Sequence, residues 1–551
     1  MSSTASLASA TTTSGLSDSR VARQLRIGLE HQAAGRIDDA IAAYQHGLEA
    51  GSESGAASAK EMTDIYFRLG NTWMIRGELE MAVASYQAAL RILPNLTSCW
   101  SNLGNVYLRM DRAQDAIAVY LHAISLDPTH WPARTNLAEA LIATRQYVIA
   151  RALLLELIAE RPRDSQIRNR LGKVHFNLGE ADRAIECFGQ AIALDPADAD
   201  SGYWIGSIKQ TAGELEAAET AYARAAKLQP LIRRPACKSP AEFRVLALYA
   251  PFGGNTPTEY LFESASYDVN TLPVIADNAY DVERLRGEGD IVVNLLSDAD
   301  QGNAELSIAA GLADGLARPV VNHPRKVQRT TREAVAHLLE GIKGCRIPKV
   351  LRLAAGSEAS IEALRSEIAS TLPVLFRPAG THGGDDFEKL ESAADLDALL
   401  QRTPATDHYL IEYVDYRSAD GYFRKYRFIF VDGEILPYHL AISADWKVHH
   451  DSTDMADHPW MQREEAAFLN NPAAVFNPAH FEALHAIRKA IGLEYSGIDC
   501  ALDGAGQLVV FEVNASMLVH RHNEAYPYKA PAVLRIKQAF GAMLRKLAQG
   551  T

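Results

Sequence analysis

A period of 34 residues constrains this chain more than any other feature. Ala82, Ala116, Ala150, Ala184 and Ala218 stand 34 apart, as do Pro94, Pro128, Pro162, Pro196 and Pro230. Gly70, Gly104, Gly172 and Gly206 keep the same step with Ala138 in the missing place, and Tyr86, Tyr120, Phe188 and Tyr222 do so with Leu154 as the exception. Position classes running in phase mean stacked copies of one supersecondary unit, each burying its apolar face only against its neighbours. Small residues let paired helices approach closely, the aromatic ring fills the hole between repeats, and proline ends the second helix. Gly35, Ala40 and Tyr44 mark one earlier unit; Ala40 and Ala82 are 42 apart, so about eight residues are inserted around 51–58. The period therefore predicts six helical pairs over residues 22–230.

This pattern resembles the tetratricopeptide repeat. The resemblance implies an all-α superhelix whose concave face binds an extended peptide or another protein, or else a brace or homodimer contact for the rest of the chain. Asn71, Asn102, Asn105, Asn136 and Arg134 fall on first helices, where concave-face contacts arise.

The 551 residues are 48% hydrophobic and 22% charged, a globular balance with room for about three or four folding units. A net charge of -13 gives no overall positive field for nucleic acid or anionic lipid. Five cysteines (Cys99, Cys187, Cys237, Cys345 and Cys500) stand singly, which suits a reducing compartment and argues against zinc. Residues 1–21 are rich in Ser, Thr and Ala, without a basic start followed by an apolar stretch, and are expected to form a disordered tail. No run approaches the roughly 20 apolar residues of a membrane span. The expectation is a cytoplasmic protein that binds neither nucleic acid nor membrane.

Beyond Pro230 the repeat stops. A linker over 231–242 is followed by apolar strand-like runs, FRVLALYA, DIVVNLL and PVVNH, and by a helix from about Thr331 to Ile342. This is α/β order over residues 243–325. From 326 to 548 hairpins appear, turning at Asp432-Gly433 and within Asp503–Gly506, so this part reads as α+β with antiparallel strands.

The strongest chemical signal is SGIDCALDGAGQLVVFEVNASM, residues 496–517. Asp499 lies on one strand, and on the next Glu512 and Asn514 share a face while Phe511 and Val513 point to the other. Two carboxylates and an amide oxygen suit a hard cation such as Mg²⁺, which takes the rest of its shell from water and phosphate. In GYFRKYRFIFVDG the same alternation puts Lys425 and Arg427 on one face and Arg424 on the other. The Gly-rich run PVLFRPAGTHGGDDFEKL carries backbone N–H groups able to cradle phosphate oxygens.

Asp followed by Glu-x-Asn thirteen residues later, downstream of that Gly-rich run, resembles the ATP-grasp enzymes, such as D-alanine–D-alanine ligase, glutathione synthetase and the glutamate ligases of ribosomal proteins. The resemblance covers about 300 residues. It implies a small α/β preceding domain, ATP held between two α+β subdomains, and Mg²⁺ (or Mn²⁺) on Asp499, Glu512 and Asn514. Nucleotide contacts then fall to Arg332 (with Arg329 competing), Arg377, Gly380, Gly383, Gly384 and Lys425, with Glu412, Tyr413 and Val414 at the base and Asp415 or Asp420 at the ribose. Arg377 and Arg332 stand where the family usually has lysine; charge is kept, but a planar fork replaces a point charge. Lys425, Arg427 and Arg377 would act in catalysis. Gly253, Gly254, Asn255, Thr258 and Glu259 in YAPFGGNTPTEY, together with His439, are the implied substrate contacts. The run with Lys447, His449, His450 and Asp451 would close over the acceptor, and His520 and His522 would lie at the surface or on the acceptor side. The implied activity joins a small carboxylate to an amine through an acyl phosphate, releasing ADP and phosphate; the alternative is a non-catalytic nucleotide-binding scaffold.

Overall fold

The computed structural model describes residues 19–550, apart from 54 (side chain), 55–56, 238–239, 253, 259, 277, 301, 356–371, 381–386, 401–405, 449–452, 516 and 521–525, and side chains at 393, 396, 397, 400 and 454. The chain divides into two compact units, Met1–Leu228 with Ala236–Ala241, and Gln229–Pro235 with Glu242–Thr551.

Among the described residues the first unit is twelve helices: α1 (Arg20–Ala33), α2 (Ile37–Ser54), α3 (Ala59–Arg76), α4 (Leu79–Ile92), α5 (Thr97–Arg109), α6 (Ala113–Leu126), α7 (Trp131–Ala143), α8 (Tyr147–Glu160), α9 (Ser165–Asn177), α10 (Ala181–Leu194), α11 (Ala199–Thr211) and α12 (Leu215–Leu228). They pair as six hairpins. The first begins two residues before the expected boundary because the Ser19 side chain accepts the Ala22 N–H and caps α1.

The rings are fixed within their hairpins and also meet the next repeat, as where Phe188 stacks on Trp204 with ring centroids 5.9 Å apart. Each packs onto the glycine sixteen residues earlier in its own hairpin: a Cβ at Gly70 would stand 2.7 Å from the Tyr86 ring, and one at Gly104 would stand 2.5 Å from Tyr120. Ala138 and Leu154, the two exceptions to the period, are the same pair in the fourth hairpin. Both are fully buried, and a smaller side chain makes room for the methyl. The first-helix asparagines link successive repeats. Asn71 Oδ1 accepts the Tyr86 hydroxyl at 2.6 Å and the Asn102 amide at 2.8 Å, and Asn105 Oδ1 repeats this with Tyr120 and Asn136. Arg134 is held by both oxygens of Glu160, at 2.7 and 2.6 Å. Part-buried amides beside a ring hydroxyl must be satisfied inside the stack, which ties successive repeats together. Gly104→Ala is expected to destabilise the array by about 1–3 kcal/mol through overpacking. In a urea melt, Tyr120→Leu on that background should restore much of the loss by copying the fourth hairpin.

The second unit opens earlier than expected. Three residues of the predicted linker form β1 (Ile232–Arg234), an antiparallel edge on a sheet with β2 (Arg244–Tyr249), β3 (Asp268–Pro273), β4 (Ile291–Asn294) and β5 (Val320–Val321). Its order is β1-β3-β2-β4-β5, and all other pairs are parallel. A second, antiparallel sheet has the order β7 (Val350–Leu353), β10 (His408–Glu412), β8 (Val374–Pro378), β9 (Glu388–Leu390). The third has the order β12 (Glu434–Ser443), β11 (Phe423–Val431), β13 (Tyr495–Leu502), β14 (Leu508–Asn514), β6 (Cys345–Arg346). Asp432 and Gly433, at φ 44° and 99°, make the tight β11–β12 turn that their residue types allow.

The parts on either side of residue 325 are bonded and packed together. Asn322 donates its backbone N–H to Glu494 and its amide to the Tyr495 carbonyl, and the Thr256 hydroxyl donates to the Ala515 carbonyl. One core runs from Leu246 and Val292 through Phe428 to Ile498. The four-stranded sheet instead keeps its own small core of Leu353, Val374, Phe376, Leu390, Leu399 and Leu410.

Candidate functional site

Alternation along β11 sends Tyr426, Phe428 and Phe430 into the core and leaves Lys425 and Arg427 on the opposite face. Register pairs Arg427 with Asp499 on β13, and Asp499 with Glu512 on β14, so these side chains share that face. Arg427 donates Nε and Nη2 to the two Asp499 oxygens at 2.6 and 2.8 Å, and Lys425 Nζ approaches to 3.5 Å. Burial opposes ionisation of Asp499, but the fields of Arg427 and Lys425 prevail and hold the carboxyl below the usual range. Arg332, at the start of the helix Arg332–Leu339 capped by Thr331, pairs with Glu512 at 2.9 Å. The Asn514 amide nitrogen donates to Glu512, and among the described residues its buried Oδ1 has no hydrogen-bond partner.

A register shift between Asp499 and Cys500 leaves Phe511 as an extra residue on β14. This bulge turns Phe511 to the cleft side beside Glu512, not to the opposite face as strict alternation predicts. Tyr416 packs on it with ring centroids 4.8 Å apart.

These groups form one wall of a cavity of about 460 Å³, within the range of small-molecule sites. The four-stranded sheet supplies the other wall: Leu375 and Arg377 on β8, Ile411 and Glu412 on β10, then Tyr413 and Val414. Arg377 is 6% exposed; burial and the neighbouring Arg332 push its guanidinium down to about 10, with Glu512 and Asp300 acting the other way. Among the described residues the backbone groups of Tyr413 and Val414 make no hydrogen bonds, an unusual state for buried Val414. Phe387, Tyr413 and Trp446 form an aromatic edge, with Trp446 ring centroids 5.6 and 6.2 Å from the other two. Lys447 and Val448 complete it.

Several expected contacts lie elsewhere. Both Glu412 oxygens are occupied, by Arg346 at 2.7 Å and the Lys349 N–H at 3.0 Å, although the residue lines the cleft. Asp420 is bound by Arg424, which also pairs with Glu464, and Asp415 accepts from Arg417; neither aspartate lines the cleft. Gly254 (φ 70°) offers its carbonyl to the Ser297 and Asp298 N–H groups, and Asn255 clamps both backbone groups of Ala250, so both shape a turn while Pro257 reaches the cleft. Thr258 is buried, and Gly380 (φ 75°) and Arg329 do not line the cleft. His439 sits in a buried cluster: its Nδ1 is 2.5 Å from Glu465 and 2.9 Å from Lys529, and Glu465 also takes the Tyr528 hydroxyl. Burial drives His439 down to about 4. The His520 N–H donates to Tyr438. Gly253, Glu259, Gly383, Gly384, His449, His450, Asp451 and His522 lie outside the described residues.

The donor set, two carboxylates now paired with Arg427 and Arg332 and an amide oxygen without a partner among the described residues, is of the kind a hard cation takes. Among the described residues no group of three or more His, Cys, Asp or Glu side chains that could hold a metal ion is gathered, here or elsewhere. Asp499→Ala should cost about 3 kcal/mol in urea unfolding, because it leaves Arg427 without its partner. Since the folded-state carboxyl is held down, the pair's contribution is full above about pH 4 and is lost as pH falls through the folded-state value, so the mutant should show a flatter acid limb.

Three family models match the chain, each a tetratricopeptide repeat, over residues 64–111, 107–174 and 169–231. The first unit is thus a tetratricopeptide-repeat array. Among solved structures, MamA from Desulfovibrio magneticus RS-1 is 20% identical with a TM-score of 0.29, covering 30% of this chain and 95% of its own. YrrB, described as a TPR protein with an unusual peptide-binding site, is 23% identical with a TM-score of 0.28, covering 33% and 92%. PilW, a type IV pilus biogenesis factor, is 18% identical with a TM-score of 0.33, covering 38% and 94%. No curated protein matches the chain. No described helix is long and apolar enough to cross a membrane.

Proposed function

We propose that the second unit is an ATP-dependent carboxylate–amine ligase and that the repeats recruit a peptide or protein, either its substrate or a partner. One observation carries the reading: a cavity with Asp499, Glu512 and Asn514 on one wall and at the other the backbone of Tyr413 and Val414, which makes no hydrogen bond among the described residues, with Arg332, Arg377, Lys425 and Arg427 also in the lining. A flat base with both donor and acceptor edges fits the aromatic side, and a polyphosphate fits the cations.

Asp499, Glu512 and Asn514 would hold Mg²⁺, which supplies charge neutralisation on the phosphate oxygens. The side chains do the rest by position and charge. Arg377 and Arg332 grip the phosphates, and Lys425 and Arg427 face the reacting γ-phosphate and carboxylate. A carboxylate oxygen attacks the γ-phosphorus and the β–γ bridge breaks, giving an acyl phosphate and ADP. The amine nitrogen then attacks the acyl carbon, phosphate leaves, and the amine proton passes to solvent. No side-chain nucleophile is required.

The test supplies ATP, Mg²⁺ and a panel of carboxylates, with hydroxylamine as a general amine, and measures ADP and hydroxamate. Carboxylate-dependent ADP release is expected, with Glu512→Ala reducing it roughly 100-fold. Equal release from wild type and Glu512→Ala would sink the ligase reading. The second reading, a nucleotide-binding scaffold, is favoured by arginine at both lysine positions; it predicts bound nucleotide without turnover.

A further inference from the structure

Across the four-stranded sheet, Arg352 on β7, Tyr409 on β10 and Arg377 on β8 are direct cross-strand neighbours, so the three side chains form one row on one face. Arg377 ends the row at the cleft. The other two members are held from outside the sheet by Asp300, which comes from the turn after β4. Its carboxylate accepts the Tyr409 hydroxyl at 2.8 and 3.0 Å and pairs with Arg352 Nη1 at 3.0 Å. Its own N–H donates to Asp298 Oδ1 at 2.8 Å, which fixes the turn. Arg352 is further held by Asp407 at 2.9 Å, and Glu333, next to cleft-lining Arg332, lies 3.9 Å away. The Asp300 side chain is 12% exposed and Tyr409 is 1% exposed, so these are enclosed contacts of the kind that hold geometry. Asp300 does not line the cleft.

We propose that Asp300 is a positioning residue for the nucleotide: it touches no ligand, but it pins the Arg352–Tyr409–Arg377 row so that the Arg377 guanidinium is presented to phosphate. This rests on the reading of the cleft as an ATP site. Among the described residues the sheet's own core is small, and polar ties from the rest of the unit help set where its face stands. The assignment has a distinctive sign. A carboxylate near a polyanion site repels the ligand, so removing it by charge alone tightens binding; if Asp300 acts by position, removing it weakens binding.

The experiment titrates a fluorescent ATP analogue with Mg²⁺ into the full chain, with melting temperature as the check on folding. Asp300→Ala is expected to bind about 10-fold more weakly. Asp300→Asn, which keeps an acceptor for Tyr409, should fall between. Tyr409→Phe should shift affinity the same way, and the double variant Asp300→Ala/Tyr409→Phe should be no weaker than Asp300→Ala, as expected of partners in one contact. Hydrogen exchange without nucleotide should be faster along β8 in Asp300→Ala. Unchanged or tighter binding in a folded Asp300→Ala, or unchanged β8 exchange, overturns the assignment. A wild type that binds no nucleotide overturns the underlying ATP reading, a result distinct from wild-type binding that Asp300→Ala leaves untouched.

Discussion

The buried pairing of Asp499 with Arg427 organises the second unit. Asp499 is 4% exposed on the central strand of its sheet, and a carboxylate there is tolerable only with a cation beside it. Arg427 meets it because β11 and β13 pair in the one register that also sends Tyr426, Phe428 and Phe430 to the core. A slip of one residue would bury the arginine and expose the rings. Packing of the aromatic face and assembly of the charged face are therefore one event. Arg332, Glu512 and Asn514 then arrange themselves around the pair, and they set the chemistry the cleft can support.

The repeats rest on a steric constraint. Each ring packs on a glycine in the facing helix, and the hydroxyls of Tyr86 and Tyr120 each reach an asparagine that also binds the next repeat. One side chain thus closes a hairpin and links it to its neighbour. The fourth hairpin shows the rule by departing from it twice in compensation, with Ala138 and Leu154.

What was readable in the sequence is what depends on short-range periodicity. The 34-residue spacing marked the helical pairs, period two placed Lys425 and Arg427 together, and Asp432-Gly433 marked its turn. Features set by partners distant in sequence were not readable. Glu465 and Lys529, which draw His439 into a buried cluster, lie 26 and 90 residues from it. Asp300 meets Tyr409 over 109 residues. The bulge that turns Phe511 toward the cleft has no residue signature. The positive-φ turn between paired helices is also periodic, at Gly77, Asp111, Arg145, Gly179 and Gly213, yet Asp111 and Arg145 conceal it because their residue types do not announce the conformation. Trp446 and Phe387 lie in runs dense in charged and glycine residues, and the aromatic content of those runs is the signal they carry.

On the proposed reading a nucleotide base lies against Tyr413, Val414 and Trp446 with its phosphates toward Arg377 and Asp499. Photolabelling the full chain with an azido-adenine ATP in the presence of Mg²⁺, followed by peptide mapping, tests it most directly. The account predicts label on the peptides containing Tyr413 or Trp446, suppressed by excess ATP. Label confined to the repeats, or label that excess ATP does not suppress, would contradict it.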